Sequence, residues 1–287
     1  MRVLVTGANG QLGSELVALY SARPEDQVLG VDLPDVDLTS ESSVAAVFDS
    51  FSPDVVINCA AWTAVDAAEE NEAGALAVNG EGPRVLAKAC RASGAWLVQI
   101  STDYVFSGEA TSPYAEDATP DPRSAYGRPK LAGEVAVREE LTDAHYIVRT
   151  AWLYGHQGNN FVKTMLRLEK ERETIDVVDD QVGQPTYAAD LASQIVALLD
   201  LRPAAGTFHG TNSGEVSWHG LTQEIFRLIG ADPARVIAVT SEQFVRPAPR
   251  PAYSVLGHDH WTAVGLAPMR AWQEALADAF ADGISAG

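Results

Sequence analysis

The sequence predicts an α/β fold built on a doubly wound parallel sheet with helices on both faces. Three observations carry this. Strand-like and helix-like patterns alternate through the first half of the chain. The strand-like runs, such as DVVIN at Asp54–Asn58, are apolar almost throughout, as strands covered on both faces are. A glycine-rich turn, TGANGQLG, joins the first strand to the first helix.

Taken in order, Arg2–Thr6 reads as the first strand, and Gln11–Ala22 as a helix with Leu12, Leu16 and Leu19 at helical spacing. Gln27–Asp32 is the second strand. Thr39 or Ser40 caps a helix that presents Val44, Val47, Phe48 and Phe51 on one face. Asp54–Asn58 is the third strand, and a helical stretch then runs to about Ser93, with Gly94 as its stop signal. Trp96–Ser101 is the fourth strand, Ala125–Leu141 the next helix and Tyr146–Arg149 the fifth strand. The second half is less regular. Phe161–Arg172, Leu191–Leu199, Trp218–Ile229 and Ala271–Ala281 read as helices and Thr174–Val178 as strand-like, with QPTY and RPAPRPAY breaking the pattern. The expected division is a Rossmann-like dinucleotide-binding domain at 1–154, joined by about 187–210. A smaller C-terminal α/β substrate-binding region takes about 155–186 and 211–287.

The net charge of −19 sets a field that repels nucleic-acid phosphates and anionic lipid. No apolar run approaches the roughly 18 residues of a membrane span, and MRVLVTGANG is too short for a signal-peptide core. A cytoplasmic protein without nucleic-acid or membrane partners is expected. Two cysteines, Cys59 and Cys90, cannot make a disulfide framework for 287 residues and are expected as buried free thiols. His258 and His260 form an isolated His-x-His in a loop-like stretch, expected at the surface; no metal site is assigned.

Four constellations carry chemistry. Gly7, Gly10 and Gly13 permit a tight turn and a close backbone approach, with a helix N-terminus facing a pyrophosphate. Asp32, ending the second strand, suits the hydroxyls of a ribose and repels a 2′-phosphate. Position 11 is Gln, so the turn offers no arginine for that phosphate, and NADH is expected to be preferred over NADPH. Tyr126 and Lys130, in YGRPK, share a helix face at i and i+4. A lysine ammonium there favours the phenolate and brings the tyrosine towards neutral-pH proton transfer. Pro129 puts Tyr126 in the helix's first turn. Last, Ser101-Thr102-Asp103-Tyr104 follows the fourth strand, where a hydroxyl can donate to a carbonyl oxygen. All four, with NCAAWT after the third strand, fall at the carboxyl edge of the sheet, where such folds bind ligands.

TGANGQLG, NCAAWTAVD, STDYVF, YGRPKLAGE, RTAWLYG, NNFVKTML and VVDDQVGQPT resemble the extended short-chain dehydrogenase/reductase superfamily and, within it, the dTDP-4-dehydrorhamnose reductase family. The likeness is dense to about residue 190 and thinner through VSWHG and RPAYSVL. It implies NAD(P)H-dependent reduction of the C4 ketone of a dTDP-linked 4-keto-6-deoxy sugar. Thr102, Tyr126 and Lys130 match the catalytic group, Tyr126 as proton donor, Thr102 as hydrogen-bond donor, and Lys130 on the nicotinamide ribose. Gly7, Asn9, Gly10, Gln11, Leu12 and Gly13 match cofactor-contacting positions, as do Asp32, Asp37, Leu38, Ala61, Trp62 and Thr63. Thr102, Asp103 and Trp152 match sugar-contacting ones. The resemblance leaves room for a homodimer and for a Mg2+ ion, with Glu15 and Asp190 near two of the family's acidic positions and no third in sight. Val255 stands where relatives have an arginine, and Arg250 is the nearby substitute. The rival readings are a 4,6-dehydratase, which needs Asp-Glu where Asp103-Tyr104 stands, another sugar-nucleotide oxidoreductase or epimerase, and a non-catalytic subunit like the regulatory subunit of methionine adenosyltransferase.

Overall fold

The computed structural model describes residues 1–285. Strands β1 (Arg2–Thr6), β2 (Gln27–Val31), β3 (Val55–Asn58), β4 (Trp96–Thr102) and β5 (His145–Thr150) alternate with helices α1 (Gln11–Ser21), α2 (Glu41–Phe51), α3 (Val65–Glu70), α4 (Glu72–Leu76), α5 (Gly82–Ser93) and α6 (Gly127–Glu140). A π-helical turn, Ala77–Glu81, bridges α4 and α5. The second half contributes β6 (Leu153–Tyr154), α7 (Phe161–Glu171), β7 (Ile175–Val178), β8 (Val182–Gly183) and β9 (Thr186–Tyr187). Then come α8 (Ala188–Leu201), β10 (Gly206–His209), β11 (Val216–Ser217), α9 (Trp218–Leu228), β12 (Val236–Val239), α10 (Asp259–Ala263) and α11 (Trp272–Ala281).

The main sheet is parallel throughout, in the order β10-β5-β4-β3-β1-β2. The chain steps from β1 to β2 on one side and returns to β3 on the other. That reversal opens a crevice beyond the carboxyl ends of β1 and β3. Alternate residues of each strand feed opposite cores: Val3, Val5, Ile57 and Val98 pack under α1 and α8, while Leu4, Val56 and Leu97 pack under α2, α5 and α6. Both faces are covered, which is why the strands are apolar without alternation. A second core joins Val162, Ile225, Phe226 and Leu276 from α7, α9 and α11 with β7 and β12.

Local signals account for the element ends. Ser40 accepts from Ser43 N and caps α2, and Gly94 closes α5. Pro129 is the third residue of α6, where its missing N–H falls among the first-turn donors that have no helical partner, and Tyr126 is the residue that caps this helix.

Several elements differ from the sequence expectation. The helical stretch before Gly94 is broken at Asn71, whose side chain caps α4 by accepting from Gly74 N. β10, only Gly-Thr-Phe-His, extends the main sheet beside β5, and β12 pairs with β7 although two of its four residues are exposed. Trp261 of α10 is fully buried in the core under α1 and α8, together with Met269, so this stretch of the expected substrate region packs on the sheet instead. His258 and His260 are half-buried rather than at the surface. His258 meets the Thr211 hydroxyl at 2.8 Å and burial pushes its pKa down to about 4; His260 Nδ1 lies 2.7 Å from the Thr207 carbonyl. Cys90 is buried and Cys59 half-buried, both as free thiols. Among the described residues no helix is long and apolar enough to cross a membrane.

Candidate active site

The crevice at the carboxyl edge opens into a cavity of about 1060 Å³ that reaches from the β1–α1 turn, past β4, to the second core. Its floor is the glycine turn. Gly7 has φ +65°, and a Cβ there would lie 2.6 Å from Ala60 N; a Cβ on Gly13 would lie 2.2 Å from the Gly7 carbonyl oxygen. The turn therefore brings β1, β3 and α1 to backbone contact. Gly10 caps α1 without any side-chain hydrogen bond. The amide N–H groups of the first turn of α1 face the cavity end, the arrangement that receives a pyrophosphate.

Asp32 stands at the far lip of this turn. Its carboxylate accepts from Asn9 N at 3.2 Å and from Leu33 N at 2.9 Å, and so is held at the cavity wall. Asp37 is exposed and its carboxylate accepts from Thr39, which keeps its pKa low; Leu38 beside it is buried. Ala61 and Thr63 line the cavity after β3. Asn9 and Trp62 do not. Asn9 contributes its backbone to Asp32, and Trp62 packs towards Ala125 and Tyr126, its main chain pinned by buried Asn79 at 2.8 and 2.9 Å.

Thr102, Asp103, Tyr126 and Lys130 converge on the cavity from β4, the turn after it, and the start of α6. Thr102 Oγ1 donates to Asp103 Oδ1 at 2.9 Å and accepts from Tyr104 N at 3.2 Å. Asp103 is 2% exposed; burial pushes its carboxyl up to about 6 against the pull of Ser254, Thr102 and nearby amides. The second oxygen, Oδ2, and Ser254 Oγ are both buried without a hydrogen bond of ordinary geometry. The Tyr126 ring packs edge-on against Tyr104, centroids 5.5 Å apart.

Lys130 does not lower the Tyr126 pKa in this arrangement, contrary to the i, i+4 expectation. Burial and the Asp103 carboxylate raise it, the Thr102 hydroxyl alone pulling the other way. The ammonium is turned to the Ile100 carbonyl at 2.6 Å, and burial brings Lys130 down to about 8, opposed by Glu134 and Cys59. The phenol thus keeps its proton throughout the neutral range.

A family model described as the RmlD substrate binding domain matches residues 1–284. The chain belongs to this family. It is 53% identical over 279 residues to a dTDP-4-keto-6-deoxy-D-glucose reductase of Streptomyces niveus, covering 97% of this chain and 96% of that one. It is also 53% identical over 283 residues to a dTDP-4-dehydrorhamnose reductase of Streptomyces griseus, covering 97% and 93%. The crystal structure of a dTDP-4-dehydrorhamnose reductase from Bacillus anthracis in complex with NADP superposes with a TM-score of 0.94 at 43% identity, covering 98% of this chain and 99% of that one.

Other residues in and behind the RmlD-family cavity escaped the sequence reading. Glu134, four residues after Lys130, is fully buried. Burial pushes its carboxyl up, but Arg149 at 2.8 and 2.9 Å, Ser101 at 2.6 Å and Arg138 at 3.0 Å outweigh that and hold it below the usual range. This network ties α6 to β4 and β5 behind Lys130; its only sequence signal was a charged residue at i+4. Arg246 enters from the long segment after β12, as does Arg250, which the sequence already offered as a substitute and which pairs with Asp66 at 2.8 Å. Val255 is buried. Trp152 lines the cavity, with Trp218 stacked on it. Asp190 is engaged by Arg270 and Asn212, and among the described residues no group of three or more His, Cys, Asp or Glu side chains is placed to hold a metal ion.

Proposed function

We propose that this chain is a dTDP-4-dehydrorhamnose reductase: it reduces the C4 ketone of dTDP-4-dehydro-6-deoxy-L-mannose with NAD(P)H, giving dTDP-L-rhamnose. The observation that carries this reading is one continuous cavity. It joins an anion-receiving glycine turn to a protonated tyrosine and a threonine hydroxyl, in a chain 53% identical to a named dTDP-4-dehydrorhamnose reductase.

The residues present fit a dinucleotide. The first turn of α1 would hold the pyrophosphate, Asp32 the adenosine ribose and Lys130 the nicotinamide ribose. When bound, the nicotinamide supplies the hydride. The chain's own residues supply the proton and the field: Tyr126 gives its phenolic proton to the C4 oxygen, while Thr102 turns its one hydroxyl proton from Asp103 Oδ1 and donates a hydrogen bond to the same oxygen. A reduction needs a donor that is protonated in the resting enzyme, and the raised pKa of Tyr126 fits that requirement. Asp103 and Trp152 would meet the sugar. Asp32 supports a preference for NADH, since a 2′-phosphate would meet a carboxylate there and Gln11 offers no counter-charge.

A dTDP-4-keto-6-deoxy-D-glucose reductase is equally similar, so the sugar's configuration is the second reading. The deciding assay supplies NADH with each keto-sugar in turn and follows absorbance at the nicotinamide band. Stoichiometric oxidation with dTDP-4-dehydrorhamnose and slower turnover of the D-gluco sugar is the expected result. The reverse ranking moves the substrate to the second reading. A protein that binds cofactor but oxidises none with either sugar is not a reductase of this class; an epimerase or dehydratase would recycle its cofactor, and a regulatory subunit would leave the sugar untouched.

A further inference from the structure

Trp152 holds an unusual backbone conformation. Three non-glycine residues among those described have positive φ: Ser52 and Arg202 at 49°, and Trp152 at 46°. Ser52 and Arg202 close α2 and α8, where a left-handed residue is ordinary. Trp152 closes no helix; it sits in the two-residue gap between β5 and β6. A bulky side chain there is strained and persists only where its surroundings hold it.

Two contacts do so. A Cβ on Gly183 would lie 2.7 Å from two atoms of the Trp152 indole, so β8 can approach that ring only as glycine. Trp218 stacks on Trp152 with ring centroids 3.5 Å apart and planes 10° from parallel, and Phe161 leans on Trp218 at 4.4 Å. The backbone fixes this arrangement: Val216 of β11 pairs with Gly183 of β8, which delivers Trp218, the first residue of α9, to the same place. The three rings are only half-buried and line the cavity that holds Thr102 and Tyr126. They pack on the edge of the second core and keep one side open to the cavity.

We propose that Trp218 is a positioning residue for the sugar, acting through Trp152, an inference that rests on the reductase reading. A sugar ring seats its C–H groups against an indole, so the plane of Trp152 sets the tilt of the hexose beside the proton donor. Without Trp218, the strained residue would relax into other conformers, and each binding event would have to select the competent one. The loss should fall on the sugar nucleotide and spare the dinucleotide, whose proposed contacts, the first turn of α1, Asp32 and Lys130, are not among the groups that touch Trp218 or Gly183.

The test uses dTDP-L-rhamnose as probe on the NADH-loaded protein, with W218A, W218F and G183A as variants. W218A removes the stack; G183A displaces Trp152 and leaves Trp218 in place. We expect W218A and G183A to weaken the dTDP-L-rhamnose Kd about tenfold, the scale of one lost aromatic pair with its held conformer. KM should rise in step, kcat should stay within about twofold, and NADH affinity should be unchanged, the last showing that the fold survives. W218F keeps a stacking ring and should restore affinity to within about threefold of wild type. The near-UV circular-dichroism couplet of the stacked indoles should vanish in W218A and W218F alike, so rescue by W218F without the couplet assigns the effect to ring stacking. Wild-type sugar affinity in either W218A or G183A, with NADH binding intact, overturns the positioning role. A wild-type protein that binds no dTDP-L-rhamnose overturns the reductase reading, and the inference falls with it.

Discussion

Replacing Asp103 by Asn should make the free protein more stable at neutral pH and poorer at binding sugar. The Asp103 carboxyl moves from 3.8 in the unfolded chain to about 6 in the folded one, chiefly through burial. At 1.36 kcal/mol per decade, holding it ionised costs the folded state about 3 kcal/mol. The folded state binds this proton more tightly, so the stabilising contribution is complete below pH 3.8. It is lost as pH rises from there through 6, and the penalty is constant above about pH 7. Asn is the isostere of the protonated form: its carbonyl can still accept from Thr102 Oγ1, and its uncharged amide takes the place of the unpartnered Oδ2. Denaturant unfolding of D103N and wild type, run in parallel from pH 4 to 8, should give a difference that grows by about 2 kcal/mol in favour of D103N between pH 4 and pH 7. Other titrations cancel in that difference. In the same preparation, KM for the keto-sugar should rise while NADH affinity stays. A stability difference that is flat across this range, or a D103N protein less stable than wild type at pH 8, would refute the account of Asp103 as a buried carboxylate kept charged at a cost.

Tyr126→Phe keeps the edge contact with Tyr104 and removes the proton; it should lower kcat by about 10²–10⁴ with NADH affinity intact, and near-normal single-turnover hydride transfer would send the acid elsewhere. Asp32→Ala removes the carboxylate held by Asn9 and Leu33 amides and should narrow or invert the NADH over NADPH preference; equal dissociation constants for the two cofactors in the unmodified protein would contradict its role. Gly13→Ala would drive a methyl to within 2.2 Å of the Gly7 carbonyl, so the turn must open and cofactor affinity should fall at least tenfold while far-ultraviolet dichroism holds; unchanged affinity would show that the turn does not carry the pyrophosphate.

The parallel core was legible because its signals are local. Each of β1 to β5 is a short apolar run followed by turn chemistry, and a parallel sheet places all those turns on one edge, so motifs distant in sequence meet without further information. What escaped depends on contacts made across long separations. β10 is four residues with a glycine start, and only its pairing with β5 makes it a strand. Trp261 follows the loop-like His-x-His, and it is buried only by Phe208 and the core under α8, with the rings 4.6 Å apart. The expected effect of Lys130 on Tyr126 failed for a related reason. Spacing puts two side chains on one helix face, but Tyr126 is the cap and Lys130 lies in the first turn, where the Ile100 carbonyl at the end of β4 takes the ammonium.

Two kinds of buried charge stand within one helix turn of each other, and the contrast between them locates the chemistry. Glu134 is fully buried and is met by Arg149, Ser101 and Arg138; these partners outweigh desolvation and its pKa falls. That is a completed network, and its work is to hold α6 on the sheet. Lys130, one turn earlier, has one carbonyl for its ammonium and sinks to about 8; Asp103 has an oxygen without a completed bond and rises to about 6; the Tyr126 phenol has only the Thr102 hydroxyl in its favour. Selection for stability alone would complete these partners or remove the charges, as it has done around Glu134. All three side chains line one cavity, where a ribose, a sugar hydroxyl and a ketone oxygen could each supply what the protein withholds.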